Sequence, residues 1–360
     1  MRRRGKQTKT MSQAEKTDTT KELENAVKDI LNEIPQERER EIISRRFGLY
    51  DRKETLEQIG EMLGITRERV RQLEKAILTK LRIMVDEGKI ASATAIEKTI
   101  ITNLSEMGRA ARIQDLAKHL LGRDSKPTEN AHVAFMSELA PSITTVNEND
   151  DFYQSAAIST VGDEKSIKSQ VTDIVKFIKE HGKPVTGEEM HEKMKYEHPL
   201  NITALASLSK KLAVLKGNWG LIKWPTVNPK NIRDKIFVIL EEQGKPMHFS
   251  SIARAIKESD FKRKNVTTQA IHNELIKDPR FVLIGRGIYA LDSWGYSQGT
   301  VADIIADVLK KAGEPLHRDE IVKRVLKNRQ VKETTILLNL QSKPQFKRAA
   351  KATYVLAEEA

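Results

Sequence analysis

Arg67, Glu68, Arg71 and Gln72 stand close together in the stretch ITRERVRQLEKAILTKLR, residues 65–82. Arg67 with Arg71 and Glu68 with Gln72 are i, i+4 pairs, so on a helix both pairs lie near its start on the outer face. Such a face could read bases. Arginine bonds guanine bidentately, glutamine bonds adenine, glutamate accepts from the cytosine amino group, and spare arginines take phosphates. A purely electrostatic binder has no use for Glu68 at that end. The same residues also describe a charged, solvated helix face held by Glu-to-Arg pairs, and the pattern alone does not choose between the two.

The elements that must position these side chains are legible around them. Val70, Leu73, Ile77 and Leu81 fall at i, i+3, i+7 and i+11, so one stripe of this helix is apolar and the long polar side chains collect opposite it. Upstream, Thr55 precedes LEQIGEMLG with Gln58 three residues on, the capping-box pattern for a helix start. Gly64 stops that helix and Thr66 caps the next. A short helix, a tight glycine turn and a second helix with a basic face form a helix-turn-helix pattern. Before it, LENAVKDILNEI (23–34) has helical spacing, Pro35 starts a helix through REREIISRRF, and residues 47–51 break it.

Composition bounds the rest. The 360 residues contain 5% aromatics and 31% charged residues, which suits several small helical modules better than one large core. The absence of cysteine excludes disulfides, thiolate metal sites and cysteine nucleophiles. The net charge of +12 is uneven: +4 over residues 1–20, 0 over 21–95, −4 over 96–166, and +4 over each of 167–226, 227–299 and 300–360. A basic tail and a basic C-terminal half favour contact with a polyanion.

Residues 1–20 are polar and basic without an apolar run, so the expectation is a disordered tail, not a secretory signal. No run of about eighteen apolar residues suggests a membrane span, and the expected location is cytoplasmic. GRGIYA (285–290) matches a dinucleotide fingerprint only loosely, because a strand follows where a phosphate-binding helix should begin. His191 and His198 lack metal-site spacing, and His248 and His317 recur after Gly-x-Pro as structural turn positions. Core packing is expected for Trp219, Trp224 and Trp294. No nucleophile, base and oxyanion constellation emerges, so the expectation is a non-enzyme with no cofactor, metal or small-molecule ligand.

Internal repetition organises the remainder. GEPLHRDEIVKRV (313–325) echoes GKPMHFSSIARAI (244–256) at an offset of 69, and VKETTILLNLQSKPQF (331–346) lies over VTTQAIHNELIKDPRF (266–281) at an offset of 65. Weaker copies begin at IEKTIITNLSEMGRA (96–110) and VTDIVKFIKEHGKP (171–184). Each reads as a helix, a glycine turn, two more helices and short terminal strands. FVLI-GRG-IYAL (281–291) is the clearest strand pair. The expected fold is therefore mainly α with small β-wings, an N-terminal helix-turn-helix followed by tandem winged helix-turn-helix modules. Expected boundaries are 21–90, a degenerate module at 96–160, then 167–226, 230–297 and 300–358.

RRFGLYDRKETLEQIGEMLGITRERVRQLEKAILTKLR resembles region 4 of housekeeping-type bacterial sigma factors, the module that reads the minus-35 promoter hexamer. The resemblance implies duplex promoter DNA and the RNA polymerase core as partners. It makes Arg67, Glu68 and Gln72 base readers, and Arg38, Arg46 and Arg71 phosphate contacts, with Thr66 capping the helix near the backbone. In that family, the apolar surface of the first helices docks on the flap of the polymerase β subunit, a role that would fall to Leu23–Phe47. This chain departs from the pattern at Ala76, where the family usually has lysine; Lys75 beside it is then the candidate phosphate contact. Only about twenty residues precede the region, so a promoter-melting region 2 is not expected.

IRDKIFVILEEQGKPMHFSSIARAI and DPRFVLIGRGIYALDSWG resemble the HARE-type helix-turn-helix at the N-terminus of the RNA polymerase δ subunit. That implies a DNA- or polymerase-associated module, with Lys262, Arg263, Lys264, Gln269 and Asn273 and the wing-tip Arg286 as candidate contacts. Together the readings predict a DNA-binding transcription regulator, cytoplasmic and nucleoid-associated. The alternatives are a polymerase-binding scaffold using these folds for protein contact, and a nonspecific chromosome-organising protein.

Overall fold

Thr55 and Gln58 exchange side-chain to backbone hydrogen bonds (3.3 and 2.8 Å), and Gly64 ends the helix they start at φ 66°, in the left-handed region. Thr66 caps the next helix, accepting from the Arg69 amide at 3.2 Å. The computed structural model describes residues 13–261, 263 and 265–357, and is mostly helical with small antiparallel sheets. It divides into two compact units, residues 1–223 and 224–360.

The first unit opens with α1 (Gln13–Asn32), α2 (Glu37–Phe47), α3 (Leu56–Leu63) and α4 (Arg67–Asp86). Eight residues of the expected tail are thus helical, and residues 1–12 lie outside the described residues. There follow α5 (Ala91–Glu106), β1 (Ala110–Arg112), α6 (Ile113–Leu121), α7 (Pro127–Leu139), β2 (Ile143–Val146) and β3 (Ser155–Ile158). The same succession returns as α8 (Glu164–His181), β4 (Val185–Thr186), α9 (Gly187–Met194), α10 (Pro199–Ser207), β5 (Leu212–Leu215) and β6 (Asn218–Leu221).

The second unit repeats it twice more. Its elements are α11 (Ile232–Gln243), β7 (Met247–His248), α12 (Phe249–Glu258), α13 (Thr268–Lys277), β8 (Phe281–Gly285) and β9 (Ile288–Leu291). They continue with α14 (Val301–Ala312), β10 (Leu316–His317), α15 (Arg318–Asn328), α16 (Glu333–Ser342), β11 (Phe346–Ala350) and β12 (Thr353–Leu356). In each repeat the sheet is antiparallel and ordered first, third, second strand, so the last strand lies in the middle. The terminal hairpins were expected from sequence. The first strand was not, because a segment of two or three residues is too short to display alternation.

The segments 21–90 and 96–160, expected to be separate domains, share one hydrophobic core. Leu23, Val27 and Ile30 of α1, Ile43 of α2, and Ile77, Leu81 and Val85 of α4 pack in the same cluster as Ile100 of α5, Leu116 of α6 and Phe135 of α7. Phe135 meets the edge of Phe47 at a centroid distance of 5.0 Å. His132 of α7 bonds the Leu49 carbonyl at 2.7 Å. No packing break occurs near residue 90, because α1 is apolar on a face that α2 to α4 leave open and that α5 to α7 cover.

The first two repeats are joined as well. Phe152 bridges Ser209, the Tyr153 amide donates to the Leu208 carbonyl at 2.9 Å, and Arg112 lies 4.2 Å over the Tyr153 ring while bonding the Ser207 carbonyl. Gly108 sits at φ 92° in the turn after α5, and a Cβ there would fall 2.4 Å from the Leu200 carbonyl oxygen. The turn glycine is therefore also the seat of α10.

Candidate nucleic-acid interface

The turn between α3 and α4 is closed by the Ile65 amide donating to the Gly60 carbonyl at 2.9 Å. Gly60 must be small, since a Cβ would lie 2.7 Å from the Ile65 carbonyl oxygen. Ile42, Ile59 and Val70 are fully buried beneath the turn, with Leu56, Leu63, Ile65 and Leu73 packed around them. This small cluster turns the Val70, Leu73, Ile77, Leu81 stripe inward. Thr66, Arg67, Glu68, Arg69, Arg71, Gln72 and Lys75 all lie exposed.

On that outer face the side chains hold one another. Arg67 pairs with Glu57 of α3 at 2.8 Å, and both remain more than half exposed at 68% and 53%. Arg71 grips Glu68 through two hydrogen bonds of 2.8 and 2.6 Å, and Gln72 reaches the same carboxylate at 3.4 Å. The Arg71 hydrogen bond holds the Glu68 carboxyl below the usual carboxylate range, and Glu68 in turn raises the Arg71 guanidinium. Exposed pairs such as these contribute little to stability, so they can be exchanged for bases and phosphates. Glu57 was not singled out from sequence; its partner lies across a turn whose geometry had to be known first.

The other expected phosphate contacts divide. Arg38 is exposed and donates to the Leu63 carbonyl at the end of α3. Arg46 is turned inward, pairing with Glu74 of α4 at 3.1 Å and bonding the Glu54 carbonyl at 3.4 Å. It braces α2 against α4. Apart from Ile42, which lies beneath the turn, the apolar side chains of 23–47, expected to meet the polymerase flap, pack in the core shared with α5 to α7. That face is occupied by the chain itself, because the first repeat supplies the apolar cover.

In the second unit, Gln269 and Asn273 lie one turn apart on the exposed face of α13 and bond each other at 3.1 Å. Thr267 caps this helix, and Ile271 and Leu275 bury the opposite face. Arg263 is exposed at φ 53°, its carbonyl held at 2.9 Å by the ammonium of Lys235, whose own burial pushes its pKa down. Lys262 and Lys264 lie outside the described residues. Arg286 is exposed in the β8–β9 turn, so GRGIYA is a hairpin.

The histidines that recur after Gly-x-Pro are helix caps: the ring nitrogens of His248 and His317 accept from the Ser250 and Asp319 amides at 3.3 and 3.4 Å. His198 caps α10 in the same manner. Trp219 is buried on β6, and Trp294 packs against Val282, Ile284 and Ala290. Among the described residues, no helix is long and apolar enough to cross a membrane.

Comparison with known proteins gives three findings. Residues 36–82 match the family described as Sigma-70, region 4, and residues 232–294 match the HARE-HTH family, a helix-turn-helix domain of ASXL and restriction endonuclease type. The RNA polymerase sigma factor SigA of Bacillus sp is 46% identical over 61 residues, which are 17% of this chain and 16% of that relative. A bacterial selenocysteine-specific elongation factor structure overlaps 81% of this chain and 40% of its own at 13% identity, but its TM-score of 0.21 is too low to inform the fold. The α2 to α4 segment is thus of the sigma region 4 type, and the chain joins it to a HARE-type helix-turn-helix centred on α11 to α13.

Proposed function

We propose that the chain is a DNA-binding transcription regulator associated with bacterial RNA polymerase, and that it reads a minus-35-like promoter element through the N-terminal half of α4. The observation that carries this reading is the outward cluster of Arg67, Glu68, Arg71 and Gln72 on a capped, glycine-turned helix pair, inside a segment 46% identical to a sigma factor. Arg67, Glu68 and Gln72 are the base readers in this scheme. Arg38, Thr66, Arg71 and Lys75 lie on exposed positions suited to phosphate, whereas Arg46 serves better as a brace. The four repeats are winged helix-turn-helix modules in this reading, with Gln269, Asn273, Arg263 and Arg286 as further contacts. The protein acts without catalysis, in the cytoplasm at the nucleoid. Polymerase contact is assigned to no buried residue of 23–47.

Competition binding on cognate and scrambled duplexes tests it. Arg67→Ala and Gln72→Ala should each cost about 1 to 3 kcal/mol of sequence preference, while Arg71→Ala should weaken both duplexes alike and lower the salt slope. Equal losses on both duplexes for all three variants would refute base reading. A second reading is a polymerase-binding scaffold that uses these folds for protein contact, as α7, the third helix of the first repeat, is used within the chain. Capture of purified core polymerase that survives loss of Arg67 and Arg71, without DNA affinity, would support it.

A further inference from the structure

The four repeats share a topology but differ in what their surfaces can meet. In the first, α7 buries a continuous run from His132 to Ser137, so no face of that helix is left free. Its hairpin is acidic at Glu148, Asp150 and Asp151, and the second repeat pairs with two of the three. Lys210 pairs with Glu148 at 2.7 Å and Lys211 with Asp151 at 2.8 Å. With a net charge of −4 over 96–166, this repeat repels phosphate and binds its neighbours.

The fourth repeat is its opposite. In α16 only Ile336 and Leu340 are buried, a single stripe against the repeat's own core. Lys343, Lys347, Arg348 and Lys351 are exposed from the end of α16 along the β11–β12 hairpin, and among the described residues none of them meets a carboxylate. Between Arg348 and Lys351 stand only Ala349 and Ala350, with Ala352 just beyond. Such small side chains keep nothing bulky between the cations and an approaching backbone.

We infer that the β11–β12 hairpin, through Lys347, Arg348 and Lys351, is a sequence-independent clamp on the phosphate backbone of duplex DNA. It rests on the proposed function and adds to it a second point of attachment that no family match covers. The hairpin lacks the exposed aromatic that would stack an unpaired base and the large apolar anchor that a protein interface requires. At the offset of 65, Thr334 and Leu338 of α16 stand where α13 has Gln269 and Asn273, and Asn339 of α16 is turned back onto the Thr335 carbonyl. A leucine there, 63% exposed, can meet a thymine methyl but cannot bond a base edge. Cations placed on a hairpin without the paired amides of α13 act on the phosphates, which set affinity and not sequence.

The test is a salt series of full-length chain on labelled duplexes, cognate and scrambled, comparing wild type with the triple variant Lys347→Ala, Arg348→Ala, Lys351→Ala. All three side chains are exposed, so the fold should survive, as circular dichroism would verify. The slope of log K against log salt should fall by about 2 to 3, roughly 0.9 for each phosphate no longer neutralised, equally on both duplexes. A control triple, Lys176→Ala, Lys179→Ala, Lys183→Ala on and after α8, removes the same charge and should leave the slope unchanged. An unchanged slope in the hairpin variant, or an equal fall in the control, would overturn the clamp. So would competition by polyglutamate as effective as by duplex. The cognate-to-scrambled ratio reports separately on α4: its absence in wild type would sink base reading while leaving the clamp to be judged on slope.

Discussion

Phe135→Ala tests whether α4 stands on its own or on the first repeat. Phe135 is fully buried on α7, and its ring packs edge-on against Phe47 of α2. Truncation should cost about 3 to 5 kcal/mol for the burial removed and the cavity left behind, the upper part of that range being favoured by loss of the aromatic pair. The local cluster under the turn has three fully buried residues, Ile42, Ile59 and Val70. Three such side chains are a small core for three helices. The C-terminal half of α4, through Ile77, Leu78, Leu81 and Val85, belongs instead to the core containing Phe135. Hydrogen exchange of the full chain, resolved by peptide, is the assay. Amides of α4 and of α5 to α7 should lose protection together, by roughly two to three and a half powers of ten. Loss confined to α5 to α7, with α4 unchanged, would show that residues 21–90 fold independently and refute the shared core.

Three further outcomes follow from particular contacts. Gly60→Ala should lower thermal stability by about 1 to 3 kcal/mol through overpacking at the Ile65 carbonyl, and Gly60→Asn should be no better. Gly64→Asn should be tolerated, because its position is open and asparagine visits the left-handed region; equal damage from both asparagines would contradict this assignment. Glu129 is buried at the start of α7, accepts two hydrogen bonds from Arg123 (2.9 and 2.6 Å) and one from the Lys126 amide (2.7 Å), and its pKa is lowered chiefly by Arg123. Since a depressed folded pKa stabilises above the unfolded value near about 4.3, Glu129→Gln should cost about 1 to 3 kcal/mol at neutral pH. In urea titrations, that difference should close as pH falls through and below this value; a pH-independent difference would exclude the charge as its source. In the second unit, Arg280 spans Asp278 at 2.7 Å and Asp234 at 3.3 Å and lies 5.5 Å over the Phe237 ring. Arg280→Met should cost about 1 to 3 kcal/mol, discounted for the partial exposure of the arginine, and Asp278→Asn should restore part of it; no coupling in the double-mutant cycle would argue against the network.

What the sequence by itself determined was local. The Thr55–Gln58 box, the Gly64 stop, the Thr66 cap and the inward stripe of α4 each depend on neighbours within a turn or two, and spacing encodes them. The repeats were legible because hydrophobic residues return at fixed offsets, and the β8–β9 hairpin because glycines punctuate two strand-like runs. The tertiary structure alone decided what each apolar face meets. Periodicity says that α1 and α7 bury a side, but it carries no partner, so the joining of 21–90 to 96–160 could not be read from it. The same holds for charged side chains. Arg46 and Arg67 look alike in sequence, yet one is folded inward onto Glu74 and the other reaches out from α4 across to Glu57. Helix crossing, which no local pattern encodes, made one a brace and left the other on the exposed face.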